Sequence, residues 1–320
     1  MGATDTVEGV IDFHVHLPFR YSDPAEAASY LVAKMDEAGV RLAVVIAVEA
    51  GVESFRRRMR PSLIRRAAEE VIDYVAYSPS PAVRAAVFEP EKSLEEHERL
   101  LIEHRRRTEE VVEAARLYPD RLLPVASYNP DLPRERMLER LRRFEDELLG
   151  VKLYPTLHCR SPADRGLSWL YSWAERRRKV VIVHTGCDPG IWELPRFCRY
   201  ARPRLVAEAA RRHPGAVFVV AHMGAYSALM PGIFFREALE AASLENVYLD
   251  TSAVDPLFIE RAVEEVGHEK ILFGSDFPYV TGLGIRDAIR EILELPISWR
   301  AKEAILRGNA ERLLRLLGRL

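Results

Sequence analysis

Eight short runs of aliphatic and β-branched residues recur along this chain, and no other feature limits its folding as much. They read VIDFHV (10–15), LAVVIAV (42–48), LLPVAS (122–127), GVKLY (150–154), VVIVH (180–184), AVFVVAH (216–222), NVYLDTS (246–252) and ILFGS (271–275). Most are nearly continuous in hydrophobicity rather than strictly alternating, the pattern of parallel strands covered on both faces. Helical patterns lie between them. PAEAASYLVAKMDEAG (24–39) opens on a proline after Asp23 and stops at a glycine, the expected start and stop signals. LPRERMLERLRRFEDELLG (132–150) does the same, and 161–179, 204–215, 234–244, 255–267 and 284–295 repeat the theme. Strand and helix in eight-fold alternation argue for an α/β chain whose parallel sheet closes into a (β/α)8 TIM barrel. An open doubly wound sheet is the competing arrangement, but no GxGxxG or GxxxxGK[ST] loop follows any strand.

The 320 residues suit one such barrel, read here as a single domain over 1–320. The connection between the second and third strands is oversized. Residues 49–120 carry charged, mostly helical sequence, including PSLIRRAAEEVIDYVAY (61–77) and a Glu/Arg-rich helix near 91–117, and read as a helical insertion on the barrel rim, a lid or an oligomer contact. A formal net charge of −2 gives no field toward nucleic acid or an anionic membrane, and the arginine runs at 56–60, 105–107 and 176–178 read as solvated helix faces. The chain has no apolar run of the ~20 residues needed to span a bilayer and no signal-like start, so cytoplasmic location is the expectation. Cys159, Cys187 and Cys198 form no CxxC, and an odd count argues against a disulfide framework. Glutamine is absent and arginine outnumbers lysine forty to six. Loss of thermolabile amides with heavy Arg and Glu usage suits a thermophile, although the shortage of lysine departs from that pattern.

Polar residues stand where these strands end. His14 and His16 lie two apart, on one face of the first strand. Lys152 lies on the fourth strand, His184 ends the fifth, His222 the sixth, and Asp276 follows the eighth. Strand ends at the carboxyl face are where barrels of this kind place catalytic groups. Four histidines and an aspartate at four such ends point to a shared metal site. His97, His104, His213 and His268 sit in charged helices or at helix ends and read as structural; His158, in the loop after the fourth strand, is undecided. Tyr128, Asn129, Tyr154, Thr251 and Ser252 are substrate-contact candidates by position. Asp12 should lie on the face of His14, one layer deeper.

HVH on the first strand, HTG after the fifth, AHMG after the sixth and LFGSDFP after the eighth resemble the amidohydrolase superfamily. The nearer likeness is to the amidohydrolase 2 branch, which contains aminocarboxymuconate-semialdehyde decarboxylase. The likeness runs from residue 10 to GNAERLL (308–314) and is weakest over 49–120. It implies His14, His16, His184 and Asp276 as metal ligands, and His222 as a histidine that orients water or polarises substrate. Imidazoles and one carboxylate suit Zn2+ with an open position for water, and Mn2+ or Fe2+ would accept similar ligands. Asp276 can then accept the water's proton while His222 stabilises the developing oxyanion. In two-metal members a strand-four lysine is carboxylated and bridges the ions, so Lys152 decides between one ion, as in the decarboxylase branch, and two. Its other reading is a cation facing a substrate carboxylate.

The expected activity is hydrolysis of a small organic substrate, an amide, lactone or ester. Nonoxidative decarboxylation of an unsaturated or aromatic acid in the same site is the alternative, and a barrel that binds without catalysis the minor one. The expected partner is a small molecule, with a homodimer common among similar proteins.

Overall fold

The structure is a computed structural model that describes residues 7–53, 56, 90–188, 193, 195–280 and 282–320. All eight expected strands form: β1 (Val10–Val15), β2 (Val40–Ile46), β3 (Leu122–Ser127), β4 (Gly150–Leu153), β5 (Val180–His184), β6 (Val217–Ala221), β7 (Val247–Asp250) and β8 (Ile271–Leu272). They pair in parallel, each with its sequence neighbour, in the order β1 to β8. The ring closes through an isolated parallel bridge between Val15 and Phe277. Backbone hydrogen bonds from Phe13 N–H to Phe273 O (2.8 Å), His16 N–H to Phe277 O (2.7 Å) and Asp276 N–H to His14 O (2.9 Å) complete the seam. The fold is thus a (β/α)8 barrel.

Two apolar layers hold it. Ile11, Phe13, Val44, Ile46, Val125, Ile182, Val219 and Leu272 pack together inside the ring, joined by Leu313 and Leu314 of the last helix (Asn309–Leu316) and by Leu317 just past it. Asn309 Nδ2 donates to Ile271 O at 2.7 Å, so that helix closes the end of the barrel where the strands begin. Alternate residues such as Val45, Val151, Val181 and Val220 face outward onto the helices. The first of these, α1 (Pro24–Ala38), shows why its sequence starts and stops where it does. Asp23 accepts from Ala25 N–H, Pro24 fills a position that needs no donor, and Gly39 turns the chain at φ 73°.

The segment 61–77 lies outside the described residues. Of the remainder of 49–120, the single long helix expected near 91–117 is instead two, α2 (Pro90–Glu103) and α3 (Thr108–Leu117). The break has a cause: Arg106 pairs its backbone with Val48, and its guanidinium is buried, donating to Pro18 O (2.8 Å) and to Tyr21 O. Arg106 is therefore no solvated face, unlike the exposed run at 176–178. Helix α3 lies against α1 and β3, in the position of the barrel's own crossover helix between β2 and β3. Among the described residues no helix is long and apolar enough to cross a membrane.

Candidate metal centre

His14, His16, His184, His222 and Asp276 all line one cavity of about 480 Å³ at the carboxyl ends of the strands. Three of the imidazoles are fixed by what their Nδ1 atoms touch. His14 Nδ1 lies 2.9 Å from Asp250 Oδ2, His16 Nδ1 lies 3.0 Å from Ile46 O, and His222 Nδ1 lies 2.8 Å from Ser252 O. A carboxylate or carbonyl oxygen can only accept, so each Nδ1 carries the proton and each Nε2 presents a lone pair. Burial, reinforced at His14 by the Lys152 ammonium and at His222 by His184, holds both rings far below the usual histidine range. They are neutral donors.

Those lone pairs meet Asp276. Its Oδ1 lies 3.3 Å from His16 Nε2 and 3.5 Å from His14 Nε2. Burial alone would raise the Asp276 carboxyl, and neutral imidazoles cannot offset that, whereas positive charge between them and Asp276 can. Acceptors facing an ionised acceptor at this distance call for a cation between them. The ligand atoms of His14, His222 and Asp276 all lie within 4.8 Å of one another. Neutral imidazoles with one carboxylate are a donor set for zinc or a similar divalent ion, so the residues present fit a metal.

The backbone is bent to make this arrangement. His222, just past β6, has φ 62°, and Asp276, past β8, has φ 55°. Left-handed conformations at non-glycine residues cost about 1–3 kcal/mol each and persist where surrounding contacts enforce them. At His222 the enforcing contact is its N–H on Asp250 Oδ1 (2.9 Å); at Asp276 it is the seam hydrogen bond to His14 O. Gly274 serves closeness instead. A Cβ there would lie 2.7 Å from His14 Cβ and 3.1 Å from Ser252 Cβ.

The remaining residues named from the sequence divide clearly. Lys152 is fully buried beneath the cavity, with Nζ 3.1 Å from His14 Nε2, and burial pulls its ammonium down to about 8. His184 stands apart from the His14–His222–Asp276 group. Its Nε2 comes within 3.0 Å of Glu193 Oε1 without the alignment of a hydrogen bond, and has no hydrogen-bond partner among the described residues. Tyr154 lines the cavity, while Ser252 Oγ lies 2.9 Å from both His14 Nδ1 and His222 Nδ1. Thr251 lines a wider cavity alongside. The other two position-based candidates have different partners: Tyr128 hydroxyl receives Arg160, and Asn129 donates to Glu49. His158 is structural, accepting from Tyr154 N–H at Nδ1 and donating to Glu49 O from Nε2.

Asp12 departs from the simple alternation. The register of β1 against β2 shifts between Asp12 and Val15, so Phe13 packs in the inner layer while the adjacent His14 still reaches the site. Asp12 Oδ1 accepts His14 N–H (3.1 Å) and Ser275 N–H (3.0 Å), tying β1 to the segment after β8. The cysteines also differ from expectation. Cys187 and Cys198 are joined in a disulfide, with Cα atoms 5.4 Å apart, and Cys159 is the free, buried thiol.

Sequence reasoning passed over two acidic residues. Asp250 was visible in NVYLDTS as the one acidic side chain on β7, two residues from Tyr248 on the same face. Glu193 offered no such signal, because it sits in a loop without periodicity.

A (β/α)8 barrel with convergent imidazoles and an aspartate at its mouth defines a metal-dependent barrel enzyme. The amidohydrolase family model matches residues 11–316, and the chain belongs to that family. An uncharacterised TIM-barrel protein from Bordetella bronchiseptica shares 19% identity over 97% of this chain and 100% of its own, with a TM-score of 0.66. A probable 2-pyrone-4,6-dicarboxylic acid hydrolase from Acinetobacter baumannii, with citric acid bound, shares 16% over 97% and 99%, TM-score 0.59. A 5-carboxyvanillate decarboxylase from Novosphingobium aromaticivorans, with manganese bound, shares 13% over 96% and 97%, TM-score 0.59. No curated protein sequence matches the chain.

Proposed function

We propose that this enzyme is a metal-dependent hydrolase of a small organic amide, lactone or ester. The observation that carries the reading is the set of three imidazoles whose Nδ1 protons are committed to protein acceptors, leaving Nε2 lone pairs turned toward an ionised Asp276. His14, His16, His222 and Asp276 would hold the ion, with His184 lining the same cavity. A divalent ion so held acidifies water to a pKa of roughly 7 and polarises a carbonyl. Around it the protein's own groups do the rest. Asp276 has a second carboxylate oxygen to take a proton from the attacking water. Asp250 and Ser252 keep the histidine rings from turning. Tyr154, Tyr226 and Tyr279 wall the cavity and limit the water that enters. Zinc is the expected ion, one per chain, and manganese the chief alternative.

Nonoxidative decarboxylation is the second reading, supported by the similarity to solved decarboxylases of this architecture. The deciding experiment is a turnover screen of zinc- and manganese-loaded protein against lactones, esters and amides, and in parallel against hydroxybenzoates. A new carboxylate from the first set, abolished in Asp276→Asn, supports hydrolysis. Carbon dioxide released from the second set, with no turnover in the first, replaces that reading with the lyase. The protein is expected to act as a single-domain barrel on a small-molecule partner, and a homodimer is the assembly to test by light scattering.

A further inference from the structure

Three imidazoles of the centre have no proton to give. The Nδ1 protons of His14, His16 and His222 go to Asp250, Ile46 O and Ser252 O, and their Nε2 atoms offer lone pairs. Hydrolysis of an amide, lactone or ester puts negative charge on the carbonyl oxygen. Beyond the polarisation that an ion supplies, one positioned hydrogen-bond donor there is worth about 10²- to 10³-fold in rate. Such a donor can only come from the cavity's other walls.

Most of those walls are already committed. Tyr154 hydroxyl donates to Ala47 O at 3.0 Å, Tyr279 hydroxyl to His104 O at 3.3 Å, and Thr156 hydroxyl to Glu193 Oε1 at 2.6 Å. His184 Nε2 lies against Glu193 Oε1 at 3.0 Å. Lys152 is buried below the ligands and does not line the cavity. Tyr226 is different. It lines both the metal cavity and the wider one beside it, and its hydroxyl donates to no acceptor among the described residues. Its ring lies 5.3 Å from the ring of His222 and 5.3 Å from that of His184. The backbone that carries it is fixed. Cys187 N–H donates to Tyr226 O at 2.7 Å, and Gly186 packs so closely that a Cβ there would lie 2.6 Å from Tyr226 N and O. A phenol keeps its proton at neutral pH, so a hydroxyl on this fixed backbone is a donor that needs little reorganisation to act.

We infer that Tyr226 is a catalytic residue whose hydroxyl donates a hydrogen bond to the substrate's carbonyl oxygen as negative charge develops on it. This rests on the hydrolase reading and deepens it. Attack forms a bond from the water oxygen to the carbonyl carbon, one water proton passes to Asp276, and the C=O π pair moves onto the carbonyl oxygen facing Tyr226. On collapse that pair restores C=O, the C–O or C–N bond breaks, and the leaving group takes the proton from Asp276. Tyr226 keeps its own proton throughout. The test compares phenylphosphonate, a tetrahedral oxyanion, with benzamide, a planar neutral carbonyl, titrated calorimetrically into zinc-loaded protein. Tyr226→Phe should weaken phenylphosphonate at least tenfold, while benzamide and zinc itself stay within about threefold. Tyr226→Met, whose flexible side chain fills the same space, serves if the Phe variant fails to fold and should show the same selective loss. Phosphonate binding within about threefold of the original overturns the assignment and passes the role to His184. An equal loss for both probes, or for zinc, also overturns it and makes the tyrosine a structural wall. The assignment and the hydrolase reading fail separately. Selective loss of phosphonate in a protein that hydrolyses no lactone, ester or amide keeps Tyr226 as an oxyanion donor and refutes hydrolysis. Hydrolysis whose kcat is unchanged in Tyr226→Phe does the reverse.

Discussion

Replacing Asp250 by asparagine should unmake the metal centre without touching a ligand. Asp250 Oδ1 accepts His222 N–H (2.9 Å), Ser252 N–H (3.1 Å) and the Ser252 hydroxyl, while Oδ2 accepts His14 Nδ1–H at 2.9 Å. An asparagine has only one oxygen. Three donors at the Oδ1 position keep the amide oxygen there, so its NH2 faces His14 Nδ1. Two donors cannot share that contact. Either the His14 Nδ1 proton stays against a donor, or it moves to Nε2, the atom that must offer its lone pair and that already faces Lys152 Nζ at 3.1 Å; both weaken the site, just as a wrong tautomer disables a catalytic histidine held by an aspartate. The lost charge-assisted hydrogen bond is worth about 1.5–3 kcal/mol, which corresponds to roughly ten- to 150-fold in metal affinity. Competition with a chelating dye for Zn2+ reads this directly, with circular dichroism to confirm the fold. Ser252→Ala is the control. It removes a hydroxyl but leaves each Nδ1 an oxygen acceptor, so affinity should stay within about threefold, well short of the loss expected for a partner that orients a ligand. A folded Asp250→Asn protein that binds zinc within threefold of the original would refute the tautomer argument.

Three further outcomes follow from other contacts. Gly274→Ala places a methyl 2.7 Å from His14 Cβ. Against an optimal carbon contact of about 3.5 Å, His14 must shift by roughly 0.8 Å. Thermal unfolding should show a loss of about 1–3 kcal/mol, with metal affinity reduced as well, and an unchanged melting point and affinity would contradict the close-approach reading. His158 is depressed to about 4 by burial. The unfolded chain gains its proton near pH 6.5 while the folded one does not, so stability falls by up to about 3 kcal/mol as pH drops from 6.5 toward 4. Urea unfolding at pH 7 and pH 4.5 should show that loss, less of it in His158→Gln, and equal losses in both proteins would remove His158 as the cause. Lys152→Met tests whether the lysine bridges two ions: metal analysis should find about one equivalent before and after, whereas a fall from two to one would establish a carboxylated bridge.

Much of this architecture is readable from residues alone because hydrophobic periodicity is a local property. VVIVH and AVFVVAH announce strands, and the histidines that end them lie where a barrel presents its strands to solvent. Asp276 follows the same logic. What escaped notice depends on non-local contact. Asp250 lies in a strand that was recognised, yet its importance comes from His14, 236 residues away. Glu193 sits in GIWELPR, where nothing in the spacing shows that its carboxylate reaches His184. The alternation rule placed Asp12 under His14, and a one-residue irregularity in β1 turns it instead onto the backbone N–H groups of His14 and Ser275. Helix α2 and helix α3 read as one because both are rich in Glu and Arg, and only the buried partners of Arg106 reveal the break.

The barrel's seam has a consequence for how the molecule opens. β1 and the segment after β8 are joined by three backbone hydrogen bonds and one bridge, where the other neighbours share ladders. His14 and His16 stand on one lip of that seam and Asp276 on the other, 262 residues from His14 along the chain. An ion gripped by both lips is a clasp across the point where the ring closes. Amide hydrogens of Phe13, His16 and Asp276 should therefore exchange with deuterium more slowly once metal is added, by an amount that tracks the occupancy of the site, while amides on β4 and β5 across the ring should be nearly indifferent. The centre that activates water would then also be the fastening that keeps the first and last strands together.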